Sequence, residues 1–187
     1  MINDIKAALE VLQKGGVILY PTDTIWGLGC DACNEEAVKR IYAIKNRIDS
    51  KSMLVLMENA ALLDRYVEEV PEIAFDLIEV TEKPLTIIYD GAKNLAKNLV
   101  ADDGSIGIRI TTEAFSSDLI RRFKRPIVST SANVSGKPSP ACFDEIDPQI
   151  IESVDYVVKY RQDDTAKAVP SSIMKLGRGG EIKIIRP

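Results

Sequence analysis

The chain has 187 residues, 45% hydrophobic and 28% charged, and its 24 basic against 28 acidic side chains give a net charge of −4. That length and apolar fraction suit one domain around a single core, over residues 1–187. Histidine is absent from the whole sequence, which excludes Ser-His-Asp and Cys-His catalysis, histidine-built zinc sites and any imidazole base.

No apolar run approaches the ~20 residues that a bilayer span requires. The opening Met1-Ile2-Asn3-Asp4 has neither a basic stretch nor an apolar one, so no signal peptide is expected. Three cysteines fit a reducing compartment better than a disulfide framework. The expectation is a cytoplasmic protein with no membrane partner. The mildly acidic balance argues against purely electrostatic nucleic-acid binding.

In chain order, Ile5, Ala8, Leu9 and Leu12 recur at helical spacing and Gly15-Gly16 supplies a stop. Val17–Tyr20 reads as a buried strand ended by Pro21, and residues 21–33 as a loop. Asn34 is placed to cap a helix running to about Lys45, with Glu35 and Glu36 in its first turn. Met53–Met57 is an apolar run suited to an interior strand. Residues 60–67 and 71–80 read as helices, and residues 85–89 and 106–110 as strands. Thr112 is the expected cap of a helix through about Lys124, followed by a strand over 127–129 and a Ser/Pro/Gly-rich loop over 131–140. Strands over 155–160, 172–176 and 181–185 close the chain, the last two as a hairpin around Gly177, Gly179 and Gly180. This order predicts an α/β fold with a mixed rather than purely parallel sheet.

Several local patterns carry little. Gly27-Leu28-Gly29-Cys30-Asp31-Ala32 matches G-x-G-x-x-A, but neither the strand before it nor the helix after it stands where a dinucleotide site requires. No P-loop pattern occurs. Cys30 and Cys33 have no second pair with which to form a zinc ribbon. Ser172 and Lys175 match S-x-x-K within a strand, where they would face opposite ways.

Three segments carry more. Tyr20–Gly29 brings Thr22, Asp23 and Thr24 to a strand end beside the only Trp, a usual place for ligands in α/β sheets. Lys45-Asn46-Arg47, with Lys51 close behind, can grip successive phosphates, although basic residues at a helix end also favour the helix dipole. Residues 129–139 gather Ser129, Thr130, Ser131, Asn133, Ser135 and Ser139 with Lys137, a dense set of neutral donors and acceptors. Arg109, near a strand end, suits a carboxylate. The basic run Arg121-Arg122-Phe123-Lys124-Arg125 is either a solvated helix end or an RNA contact.

Together these segments resemble the YrdC/TsaC family, the L-threonylcarbamoyladenylate synthases of tRNA modification. The resemblance rests on Pro21–Leu28 as P-T-[DE]-T-x-[YW]-G-L, Lys45-Asn46-Arg47 as K-x-R and Ser131-Ala132-Asn133 as S-x-N, in that order, and extends over the chain through Lys83–Thr86, Gly107–Arg109, Pro170–Ile173 and Ile185–Pro187. It implies a YrdC-like twisted mixed sheet flanked by helices around a large, positively lined cavity. It also implies a nucleotidyltransferase that condenses L-threonine, bicarbonate and ATP, with Mg²⁺, into threonylcarbamoyl-AMP and pyrophosphate. A downstream transferase complex would then modify position 37 of ANN-decoding tRNAs, with possible double-stranded RNA contact. Carried over by position, Arg47, Lys51, Ser105, Ser131, Asn133, Ser139 and Arg186 would meet ATP. Thr22 or Thr24, Arg109, Ser129 and Ser171 would meet threonine, with Lys45 and Arg47 nearest the chemistry and no metal held by the protein itself. A family histidine falls at Leu56, and the extra C-terminal domain of longer members is not expected. The competing readings are an RNA-binding module and a YciO-type paralogue with another substrate.

Overall fold

The computed structural model describes residues 1–46, 53–166 and 169–187. Helix α1 (Ile2–Gln13) turns Ile5, Ala8 and Leu12 into the core, as their spacing requires. Buried Asp4 on the same helix accepts from Tyr156 Oη at 2.7 Å and Lys159 N at 3.0 Å, which ties the helix to a distant strand. Strand β1 (Ile18–Tyr20) pairs antiparallel with β2 (Gly27–Gly29), inside the segment that the sequence reads as loop.

The glycines of β2 are there for close approach rather than for a turn. A Cβ on Gly29 would stand 2.5 Å from Tyr20 Cε1, and one on Gly27 would stand 3.2 Å from Thr130 O. Tyr20, fully buried, reaches over β2 and donates from its hydroxyl to Val128 O at 3.1 Å.

Helix α2 (Glu35–Ile44) is capped by Asn34, which accepts from Ala37 N at 3.1 Å. Strand β3 (Leu54–Met57) follows. Residues 60–67, read as a helix from their composition, form only a 3₁₀ segment over Ala60–Arg65 with Leu63 buried; one buried apolar residue gives little packing to support a longer helix. Helix α3 (Ile73–Val80) leads to β4 (Leu85–Tyr89) and β5 (Ile106–Ile110). Helix α4 (Ala114–Phe123) starts one residue later than expected: Glu113, not Thr112, is its cap, accepting from Ser116 N at 2.7 Å. Strand β6 (Ile127–Ser131) runs two residues beyond the expected strand.

Helix α5 (Pro148–Glu152), unforeseen, is capped by Asp147 with Pro at its first position. Strand β7 (Tyr156–Val157) is shorter than its apolar run, and β8 (Ser172–Leu176) and β9 (Ile182–Arg186) form the expected hairpin. Lys175 on β8 is engaged by Asp90 at 2.9 Å and Asp103 at 3.2 Å, away from any serine chemistry.

The strands form one mixed sheet in the order β7-β1-β2-β6-β3-β5-β4-β8-β9. Its register decides what the cavity contains. Leu56, Arg109, Thr86, Ile173 and Arg186 stand opposite one another across β3, β5, β4, β8 and β9. Leu54 opposes Ser129, and Ser131 opposes Gly27. Opposed residues and their i±2 neighbours share a sheet face, so residues from seven strands meet on one side. Among the described residues no helix is long and apolar enough to cross a membrane.

Candidate active site

On that face lies a cavity of about 300 Å³, walled by Thr24–Gly27, Met53, Leu54, Arg109, Ser129–Ser131, Ser139, Pro170, Ser171, Ile173 and Arg186. The β1–β2 loop, the end of β6, the start of β8 and the end of β9 thus converge, and the cavity's two charged residues among those described are both arginines.

Arg109 is the buried centre of the site, only 3% exposed. Its Nη2 lies 3.0 Å from Asp23 Oδ1 and donates to Thr24 Oγ1 at 3.2 Å, while its buried Nε has no protein partner. An unpartnered guanidinium N–H inside a protein is costly, and here it belongs to a residue of the cavity wall. A ligand carboxylate is the group that such a donor suits. Burial raises the Asp23 carboxyl above its ordinary range, against the opposing pull of Arg109, and Glu113 adds to the rise.

Thr22 and Thr24 divide their work. Thr22 Oγ1 donates to Ile25 O at 2.8 Å, accepts from Thr24 N at 3.0 Å and lies 3.0 Å from Thr24 Oγ1, so it braces the loop from behind. Thr24 lines the cavity. Ser171 Oγ is 2.8 Å from Thr86 Oγ1, and its carbonyl accepts from Arg186 Nε at 2.8 Å, which sets the arginine against the same wall. Trp26 stands on the cavity side with its ring 4.9 Å from that of Phe143.

Lys45 is placed differently from a surface phosphate grip. It is 2% exposed, and its ammonium donates to the carbonyls of Ser131 and Asn133, the latter at 2.7 Å, with Asn133 Oδ1 at 3.4 Å. Its own carbonyl accepts from Ser135 N at 2.8 Å. Asn133 Nδ2 closes the turn on Val134 O and Lys137 O, at 3.1 and 2.6 Å. Lys45 and Asn133 therefore hold the shape of the loop that presents Ser131 and Ser139 to the cavity.

Ser105 sits just before β5, buried and bound to Asp103 Oδ1 at 2.5 Å, and is not among the cavity's lining residues. Arg47 and Lys51 lie outside the described residues. Leu56 is fully buried in β3, directly opposite Arg109 in register. Asp23 is singled out in the sequence only by its place between two threonines, and its pairing with Arg109, 86 residues away in the chain, is set by the fold.

The basic run at the end of α4 is largely engaged. Arg121 and Arg122 both pair with Asp118, and Arg125 reaches Asp31 at 2.6 Å with its guanidinium 4.6 Å above the Phe123 ring. The cysteines are free thiols: Cys30 is buried, and burial pushes Cys33 up to about 11. Neither has the depressed pKa that reactive or metal-binding thiols need. A triple Cys→Ala variant is accordingly expected to keep its fold and activity, checked by thermal melting and turnover; stoichiometric zinc in the purified protein would contradict it.

The Sua5/YciO/YrdC family model, described as "Telomere recombination", matches residues 10–187. A protein of Pseudoalteromonas translucida named threonylcarbamoyl-AMP synthase is 36% identical over 159 residues, 83% of this chain and 85% of that one. The P. abyssi Sua5 structure complexed with L-threonine superposes with a TM-score of 0.82 at 25% identity, covering 92% of this chain and 50% of that one. This chain thus spans half the length of that Sua5 protein. E. coli YciO superposes with a TM-score of 0.78 at 25% identity, over 97% of this chain and 87% of that one. With the P-T-D-T loop, the buried lysine beneath S-x-N and the mixed sheet all in one chain, the protein belongs to the Sua5/YciO/YrdC family.

Proposed function

We propose that the protein is an L-threonylcarbamoyladenylate synthase, a nucleotidyltransferase that acts in the cytoplasm on L-threonine, bicarbonate and ATP. The observation that carries this reading is Arg109, a buried arginine with an unpartnered Nε in a cavity whose wall combines hydroxyls with apolar side chains and one further arginine. The guanidinium matches an amino-acid carboxylate, and Thr24, Ser129 and Ser171 supply neutral partners for an amine and a hydroxyl. The match to relatives named threonylcarbamoyl-AMP synthase points the same way.

The chemistry follows from positioning. Threonine's amine and bicarbonate give the N-carboxylate and water. A carbamate oxygen then attacks the α-phosphorus of ATP, the bond between that phosphorus and the α,β-bridging oxygen breaks, and pyrophosphate leaves with that oxygen. No step demands an imidazole. Holding three reactants together can supply roughly 7–11 kcal/mol of the barrier. Ser131 and Ser139, on a loop braced by Asn133, would frame the nucleotide together with Arg186, and the family resemblance adds Asn133 itself, Arg47, Lys51 and Ser105 to the ATP contacts. Mg²⁺ enters as the counter-ion of the ATP phosphates, part of the substrate, since this ion prefers phosphate and water oxygens to a cage of side chains. The product would pass to a transferase that modifies tRNA.

The test is pyrophosphate release at fixed ATP with bicarbonate and different amino acids. A site built to hydrogen-bond a hydroxyl rejects an analogue lacking it by orders of magnitude. Threonine is expected to support release, serine poorly and valine not at all. Equal release with threonine, valine and no amino acid would reject the reading in favour of a YciO-type substrate or an RNA-binding role.

A further inference from the structure

Resting on the synthase reading, we propose that Arg161 is a positioning residue that sets amino-acid affinity from outside the cavity. It locks the Thr22–Thr24 loop to the turn that holds Arg161 and Asp164. Arg161 Nη1 donates to Thr22 O at 3.1 Å, while Nε and Nη2 hold Asp164 Oδ2 at 3.1 and 2.8 Å. The same Nη1 lies 3.8 Å from Glu113 Oε1, on the carboxylate that caps α4. Ser116, one turn into α4, donates from its hydroxyl to Pro21 O at 3.0 Å. The loop is thus gripped at Pro21 and Thr22 from behind. Its cavity side carries Thr24, whose hydroxyl accepts from Arg109.

Arg161 itself is not among the residues of the cavity wall; it borders a smaller space behind the loop with Cys142 and Asp164. Its backbone supplies an independent argument. Arg161 has φ 64°, in the left-handed region where glycine is at ease. A side chain there is strained, and such strain persists where the surroundings over-determine it. An arginine in a glycine's conformation, with its guanidinium spread over three oxygens from three segments, is a strut rather than a surface charge. Moving Thr22 O would shift Thr24 Oγ1, and with it the orientation of Arg109 toward a bound carboxylate.

Arg161→Gly isolates this role, because it suits the backbone while deleting the guanidinium. The KM for threonine is expected to rise about tenfold, the order of one lost hydrogen bond from a charged group, with kcat and the KM for ATP nearly unchanged. Arg161→Lys should fall between, and millimolar guanidinium chloride should partly restore threonine affinity to the glycine variant. An unchanged threonine KM in Arg161→Gly, or an equal loss in kcat at saturating threonine with no guanidinium rescue, overturns the strut while leaving the synthase reading standing. A wild-type protein with no threonine- and bicarbonate-dependent pyrophosphate release overturns both.

Discussion

Arg109→Gln is expected to remove threonine-dependent pyrophosphate release while leaving ATP affinity close to wild type. The substitution deletes the charged donor pair that a carboxylate would use, a loss of roughly a hundredfold or more in threonine use. It also strands Asp23, 13% exposed and 3.0 Å from the lost guanidinium. Breaking a buried pair on one side costs about 3–5 kcal/mol. The pH dependence of that cost has a definite sign. Burial already raises the Asp23 carboxyl, and without Arg109 it rises further, so the folded variant binds a proton more readily than the unfolded chain. Stability is then retained at pH below the ordinary carboxylate range and lost as pH rises through the elevated folded value. The double variant Asp23→Asn/Arg109→Gln should recover much of the melting temperature at neutral pH without recovering threonine use. Recovery of both would show that Arg109 acts only as a structural cation, and an unrecovered melting temperature would show that the stranded Asp23 is not the source of the lost stability.

Lys45→Met is the second large effect. The side chain volume is nearly kept, but the donors to Ser131 O and Asn133 O are lost inside the protein. Ser131 O keeps Asn133 N as a donor at 2.9 Å, whereas Asn133 O loses the ammonium; one orphaned acceptor costs roughly 1–3 kcal/mol, a fall in melting temperature of about 2–12 °C for a chain of this size. Because these carbonyls belong to the loop that presents Ser131 and Ser139, nucleotide affinity should fall with stability. Asn133→Ala, which spares the ammonium, should lose less of both. A Lys45→Met protein with wild-type melting but no turnover would mean instead that the ammonium meets the phosphates directly. Differential scanning fluorimetry with and without ATP separates the two outcomes.

Much of the local structure was legible because it has local causes. The α1 periodicity, the Asn34 cap and the final glycine-rich hairpin each follow from residues within a few positions of one another. Strand β2 was not legible, since Gly-Leu-Gly shows no alternation; what makes it a strand is the fit of two glycines under Tyr20 and Thr130, which lie elsewhere in the chain. The cap of α4 moved from Thr112 to Glu113 for a similar reason: the side chain that reaches Ser116 N is also placed toward Arg161.

The chemistry available to this protein follows from its composition and its motifs. The sequence excluded imidazole catalysis, and it grouped hydroxyls, an amide and cations in three motifs whose order carried the family resemblance. Which of these groups face a ligand depends on how distant strands are brought into register. Sheet register put Arg109, Thr86, Ile173 and Arg186 in one row beside Ser129 and Ser131, and a slip of one residue in any strand would have sent its members to the opposite face. Burial turned Lys45 inward to the loop carbonyls, although its spacing from Arg47 reads equally well as a phosphate grip. Asp23 and Arg161 acquired their roles from partners 86 and 139 residues away, through contacts that no local pattern of charge or hydropathy encodes.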